Sequence, residues 1–308
     1  MTAADATCGS EAAAAGLPGT FVAFLTSSSV PDVRARFAGS RGWVLVDGTP
    51  VGTTMDAMLD QYAVLNAVDM LADGSRFASN QSAWTGMLED GKVDTTATCN
   101  DWTTSSAAAS GQGNVLRNAT LAFGNPLPCD MPRHLICFEV GHRAEVAPIV
   151  SSGRLAFLTV AKRTPSTNVA AADALCNAEA TAAGFPGTYL AALNTSTASI
   201  ASRFVVDQRP WVRVDGTLAS DPSAILTGGL LRSFVHQASD GSYVRRGFYT
   251  GVSSTPNVTS AQTCMDWTSG NAMTNVPIGL PPHILGSQFW SWSTSGCDAQ
   301  LSVLCMQQ

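Results

Sequence analysis

The sequence predicts an α+β fold built twice in tandem, each copy opening with helices and closing in a mostly antiparallel sheet. Three observations predict it: a long internal repeat, an Ala-rich segment in each copy stopped by Gly and then Pro, and a remainder of short apolar runs bounded by turn residues.

Shifting the chain by 168 residues lays Cys8 on Cys176, "GLPGTFVAFL" (16–25) on "GFPGTYLAAL" (184–193) and "RGWVLVDGT" (41–49) on "RPWVRVDGT" (209–217). In the middle the shift falls to 165, pairing Thr85-Gly86 with Thr250-Gly251 and Cys99 with Cys264. It returns to 168 for Cys129 with Cys297 and Cys137 with Cys305. Such changes of offset place insertions and deletions in surface loops on a shared scaffold. Domains are expected at 1–140 and 153–308, joined by a linker at 141–152.

Within each copy, the Ala-rich segment around the first cysteine predicts a helix, ended by Gly16 and Pro18 or by Gly184 and Pro186. A strand follows in "TFVAFL" or "TYLAAL". "SVPDVRARF" and "TASIASRF" suggest a second helix, with Pro31 near the first turn of the former. "WVLV" and "WVRV" each run into Asp-Gly, a tight-turn pair that needs positive φ. Strands and loops then continue to "RHLICFEV" and "LSVLCM". "RLAFLTV" (154–160) is expected as the first strand of the second copy. Its counterpart would fall before Met1, so the chain is expected to start inside its first repeat and to leave an open edge beside "LICFEV". "VAPIV" (146–150), a neighbouring molecule or residues upstream of Met1 would fill that edge.

Hydrophobic residues make up 45% of the 308 and charged residues 13%, which argues for globular structure and against disorder. A net charge of −6 offers no clustered Lys and Arg to release counterions, so no nucleic-acid partner is expected. No run approaches the roughly 20 apolar residues that span a bilayer, so no direct membrane insertion is expected. Residues 1–152 carry eight Lys/Arg and fifteen Asp/Glu, net −7, whereas residues 153–308 carry nine and eight, net +1. The two halves present different surfaces. Eight cysteines, an even number, fit an oxidising compartment, so the chain is placed as extracellular, cell-surface or periplasmic.

The cysteine spacings are 91, 30 and 8 in the first copy and 88, 33 and 8 in the second, without the close CxxC or HxxxH pairs of a zinc site. Four cysteines per copy allow three pairings. A helix carrying the first cysteine, third and fourth cysteines eight apart, and an apolar last strand holding the fourth together resemble the C-type-lectin-like fold. "GTFVAFL", "WTG", "CNDW" and "LICFE" bring the chain closer to its endostatin-like branch, found at the C-terminus of certain collagens and in related bacterial secreted proteins. The resemblance covers nearly the whole chain twice. It implies nested disulfides, Cys8 to Cys137 with Cys99 to Cys129, and Cys176 to Cys305 with Cys264 to Cys297.

On that pairing the repeated Cys-x-Asp-Trp is a structural corner. Its cysteines are neither nucleophiles nor ligands, Trp102 and Trp267 have apolar area to bury beside the bridge, and Asp101 and Asp266 accept hydrogen bonds within a turn.

Sugar-binding lectins of this fold carry Glu-Pro-Asn or Gln-Pro-Asp and Trp-Asn-Asp. None of these occurs here, so binding is expected to be calcium-independent. Asp56, Asp60, Asp69 and Asp73 read as a solvated acidic face. His134, His142, His236 and His283 form no ligand pair, and no metal or cofactor is expected. There is no HExxH, Walker loop or nucleophile elbow, so no catalytic residue is assigned and the chain is not read as an enzyme.

The candidate ligand-binding residues are Trp290, Trp292, Tyr249, Arg245 and Arg246. Trp290 and Trp292 alternate in "SQFWSWSTS", so in a strand they share one face, either inward as core or outward as a platform for a sugar ring. The first copy offers only Phe123 there. Arg245 and Arg246, in "YVRRGFYTG", read as a surface pair or an anion contact. Asn80, Asn118, Asn194 and Asn257 begin glycosylation sequons, which matter only in a eukaryotic secretory pathway. The function expected is a binding or adhesion module that recognises a glycan or extracellular protein ligand through loops. The alternatives are a structural spacer in a larger surface protein and, third, a hydrolase using loop carboxylates.

Overall fold

In the first of two units, Met1–Ala147, the Ala-rich segment forms helix α1 (Thr2–Ala14) and ends where Gly16 takes φ +69°. Gly16 donates to the Ala13 carbonyl at 3.0 Å and Leu17 to Ala12 at 2.9 Å, a closure that needs a residue at ease with positive φ. The structure is a computed structural model that describes residues 1–77, 81–121 and 124–308; Asn80 and Phe123 lie outside the described residues.

After α1 come β1 (Thr20–Ala23), a 3-10 turn (Val33–Phe37), β2 (Trp43–Val44), β3 (Pro50–Gly52), α2 (Met55–Asp60) and β4 (Ser82–Trp84). The unit closes with α3 (Cys99–Trp102), β5 (Ser110–Val115), β6 (Asn125–Pro128), β7 (His134–Leu135) and β8 (Cys137–Val140). Among the described residues these strands make three sheets: β6-β5-β4-β7, β2-β3 and β1-β8.

The second unit, Pro148–Gln308, begins with β9 (Arg154–Leu158) before its helix α4 (Asn168–Ala182). Then follow β10 (Tyr189–Ala191), a 3-10 turn (Ala201–Arg203), β11 (Trp211–Val212), β12 (Leu218–Ser220), α5 (Ala224–Thr227) and β13 (Phe248–Tyr249). The last elements are α6 (Cys264–Trp267), β14 (Asn275–Gly279), α7 (Gly286–Trp290), β15 (Ser293–Gly296) and β16 (Ser302–Gln307). Here the strands join in one sheet, β12-β11-β9-β16-β13-β14-β15, with β10 also on β16. The pairing is mostly antiparallel and the whole is α+β.

Two features make the difference: β16 runs unbroken where β7 and β8 are separate strands, and the second unit has β9. β9 runs antiparallel to β16, with Phe157 opposite Cys305, and parallel to β11, with Arg154 opposite Trp211. It thereby stitches the β11-β12 ribbon to the sheet. In the first unit β2-β3 stands apart and β8 pairs with β1 alone among the described residues. "VAPIV" does not fill that edge: Val150 bridges Thr217 in the second unit, and Ile149 and Val150 are exposed. Residues 141–147 stay with the first unit, where Arg41 donates to the His142 carbonyl at 3.0 Å.

The second helices expected from "SVPDVRARF" and "TASIASRF" are single 3-10 turns of five and three residues. So short a segment does not recover the cost of nucleating an α-helix, and Asp32 instead accepts the Arg34 N–H at 2.9 Å to close a tighter turn. Asp5 and Asp173 have matching structural roles. Asp5 accepts the Ala23 N–H at 3.0 Å and pairs with Arg36; Asp173 accepts the Ala191 N–H at 2.8 Å and pairs with Arg203 at 2.7 Å. Each ties its helix to the strand that follows.

The core of the second unit gathers Phe157, Cys176, Tyr189, Tyr249, Trp267 and Cys305, all buried. In the first unit the corresponding cluster has Cys8, Ala23 and Leu25 at its centre, with Phe21, Trp84, Trp102 and Leu135 only partly covered. No helix among the described residues is long and apolar enough to cross a membrane.

Candidate functional site: a basic cleft in the second unit

Four disulfides, Cys8–Cys137, Cys99–Cys129, Cys176–Cys305 and Cys264–Cys297, leave no free cysteine. The Cys-x-Asp-Trp segments are α3 and α6, and their backbones run left-handed. Cys99, Asn100, Asp101 and Trp102 take φ of 49, 53, 52 and 63°, and Cys264, Met265, Asp266 and Trp267 take 52, 55, 52 and 67°. Left-handed conformation costs about 1–2 kcal/mol per L-residue, so four in a row persist only where the surroundings hold them.

Three restraints do so. The disulfide anchors the first residue. The indole of Trp102 donates to the Thr26 carbonyl at 2.7 Å, as Trp267 does to Asn194 at 2.7 Å. The carboxylates of Asp101 and Asp266 each take the N–H of a distant serine, Ser28 or Ser196, at 2.8 Å, together with its hydroxyl. Asp266 also accepts the Thr263 hydroxyl at 2.9 Å within its own turn, as expected, but the main grip of both aspartates is on a loop about seventy residues upstream. Hydroxyl donation by Ser28 and by Ser196 holds both carboxyls below the usual range.

Trp290 and Trp292 do not share a face. The segment forms the helical turn α7, which buries Phe289 and Trp290 against Phe248, and the Trp290 indole donates to the Ile225 carbonyl at 2.7 Å. Trp292 follows the turn, 52% exposed, where its N–H joins Ile278 at 2.9 Å. Tyr249 is also core, its hydroxyl donating to the Ala299 carbonyl and its pKa pushed up by burial. Neither Trp290 nor Tyr249 is open to a ligand.

Arg245 and Arg246 are exposed, and they are brought together with Lys162. The ends of three neighbouring strands, β9, β13 and β16, enclose a cleft of about 290 Å³ lined by Lys162, Tyr243, Arg245, Arg246 and Gln300. Its walls are well braced. Leu158 donates to Gln237 at 2.8 Å and Ser239 to Leu158 at 3.1 Å, which lays the loop beside β9. Asp240 accepts from Ser242 at 2.9 and 2.6 Å, turning the chain towards Arg245. Arg163 exchanges backbone bonds with Leu301 at 3.0 and 3.2 Å.

The unit's other arginines are committed elsewhere. Arg203, Arg209, Arg213 and Arg232 pair with aspartates, Arg154 stacks 3.8 Å above the Trp211 ring, and Arg163 donates to Thr167. Lys162 and Arg246 form no ion pair among the described residues. The side chains of Lys162, Arg245 and Arg246 are exposed at the cleft.

Lys162 was not singled out by sequence. The available signal was its position two residues past "RLAFLTV", the run expected as a strand.

The acidic residues of the first unit make no cage. Asp56 and Asp60 pair with Arg34, Asp73 caps Ser75, and Asp69 is buried between Arg76 and Arg117. Asp69 thus departs from the expected solvated face, because two guanidinium groups compensate its burial. Among the described residues no three His, Cys, Asp or Glu side chains are grouped to hold a metal.

No protein-family model matches the chain, and no curated protein is significantly similar to it.

Proposed function

We propose that the chain is a secreted or surface-displayed recognition module, two tandem domains of the endostatin-like branch of the C-type-lectin-like fold, binding without calcium. Its ligand is a glycan bearing carboxylate or sulfate groups, taken by the second unit through Lys162, Arg245 and Arg246. The observation that carries this reading is that Lys162, Arg245 and Arg246 line one braced cleft and are exposed there. Guanidinium groups chelate carboxylate and sulfate through paired N–H donors, and a lysine adds a mobile point charge. At about 290 Å³ the cleft lies at the small end of ligand pockets and suits a terminal sugar. Exposed Trp292 adds an apolar face in the same unit.

The test is a glycan array probed with the intact chain at low salt. The reading expects binding confined to acidic glycans and abolished in Arg245→Glu/Arg246→Glu. Uniform silence favours structural spacer domains, and binding to neutral sugars unaffected by the charge reversal contradicts the cleft.

A further inference from the structure

The basic cleft of the second unit has two zones. Its three cations, Lys162, Arg245 and Arg246, are exposed. The less exposed part of the lining is uncharged and includes Gly247, Leu301, Tyr243 and Ser302. Tyr243 is fixed on two sides: its ring centroid lies 4.9 Å from that of His236, and its hydroxyl is bonded to the Gln237 side chain. It is an aromatic wall held in place before any ligand arrives.

Ser302 opens β16, where it stands opposite Phe248 in the parallel register with β13. It is only 3% exposed, yet its hydroxyl forms no hydrogen bond among the described residues. Neighbouring hydroxyls of the lining are engaged. Thr159 donates to the Ala161 carbonyl at 2.7 Å and accepts the Val303 N–H at 2.9 Å, and Ser242 donates to Asp240 at 2.6 Å. Buried polar groups are as a rule paired, so an unpaired one lining a cleft marks where a partner comes from outside. The fold does not require serine there: in the first unit the same register position, opposite Ala83, is His134.

The chemistry of the two zones sets an orientation. Drawing a carboxylate or sulfate away from three solvent-exposed cations to one neutral hydroxyl loses solvation and charge pairing together. A sugar hydroxyl suffers no such loss, because it both donates and accepts, as serine does. Resting on the reading of this cleft as an acidic-glycan site, we infer that Ser302 fixes how the sugar sits. One edge of the ring enters with its hydroxyl on the Ser302 Oγ and its apolar flank on Tyr243, and the acidic group stays at the mouth with Lys162, Arg245 and Arg246. The ligand class narrows to a terminal acidic sugar with a free hydroxyl on the edge away from its acidic group. A bare anion uses the mouth alone.

Ser302→Ala removes an unbonded hydroxyl and keeps the fold, which an unchanged melting temperature checks. Two probes are titrated into the intact chain and into this variant: the acidic glycan bound most strongly on the array, and inorganic sulfate. The inference expects the glycan to bind the variant roughly tenfold more weakly with its salt dependence unchanged, and sulfate to bind parent and variant alike. Equal glycan affinity in parent and variant overturns the assignment of Ser302 and leaves the acidic-glycan reading standing. A parallel loss of glycan and sulfate places the anion on Ser302 and overturns the orientation. An array silent for acidic glycans overturns the reading, and this inference with it.

Discussion

Asp266 accepts both the main-chain N–H of Ser196, at 2.8 Å, and its hydroxyl, at 2.6 Å, and Asp101 grips Ser28 by the same two groups. Each carboxylate pins the loop after the first helix and strand onto a left-handed turn carrying a disulfide. Asp266→Ala is expected to destabilise the second unit by about 1–2 kcal/mol, with Asp266→Asn intermediate. Hydrogen exchange at Ser196–Ile200 and at the Trp267 indole checks it, and unchanged protection at both counts against the clamp. Because the folded carboxyl titrates below its ordinary value, this contribution is present above the unfolded pKa and is lost as pH falls through the folded one.

Peptide mapping without reduction is expected to recover four bridges, all within units. Replacing Cys264 and Cys297 by alanine should cost about 2–5 kcal/mol, since the bridge closes a loop of 33 residues and anchors the first left-handed residue. Thermal unfolding of the variant measures the loss. A free thiol or a bridge between units in the parent chain contradicts the pairing.

Burial lowers the His283 pKa from 6.5 to about 4. Below pH 6.5 the unfolded chain takes a proton that the folded chain refuses, so stability falls as the pH drops, until the folded histidine also protonates near 4. Over that window the second unit should lose about 3 kcal/mol. His283→Gln should flatten the slope in denaturant titrations between those limits. A parent slope already flat there contradicts the burial.

The repeat, the helix stops at Gly16 and Gly184 and the existence of disulfides were legible because they depend on local chemistry and on counting. β9 was legible as an apolar run ahead of the helix that carries Cys176. The left-handed turns were not: nothing in Cys-Met-Asp-Trp announces positive φ, which the disulfide and bonds to residues about seventy positions away impose. Alternation misled at Trp290 and Trp292, where a single helical turn buries the first and leaves the second outside. Lys162 and Arg245 lie 83 residues apart and meet only through the pairing of β9, β16 and β13. Arg245 and Arg246 were visible as a pair, whereas a cleft was not.

Millimolar calcium is expected to leave the melting temperature unchanged, because Asp56 and Asp60 are engaged by Arg34, and Asp69 by Arg76 and Arg117. A rise of several degrees that a chelator reverses shows ligation and contradicts this.

Recognition of an acidic glycan at the cleft of Lys162, Arg245 and Arg246 is tested most directly by titrating one sulfated oligosaccharide into the intact chain at two salt concentrations, with Arg245→Glu/Arg246→Glu alongside. The account predicts saturable binding that weakens as salt screens the three cations and disappears in the variant, whose melting temperature stays at that of the parent. Binding of equal strength in parent and variant, or none in the parent at low salt, would contradict it.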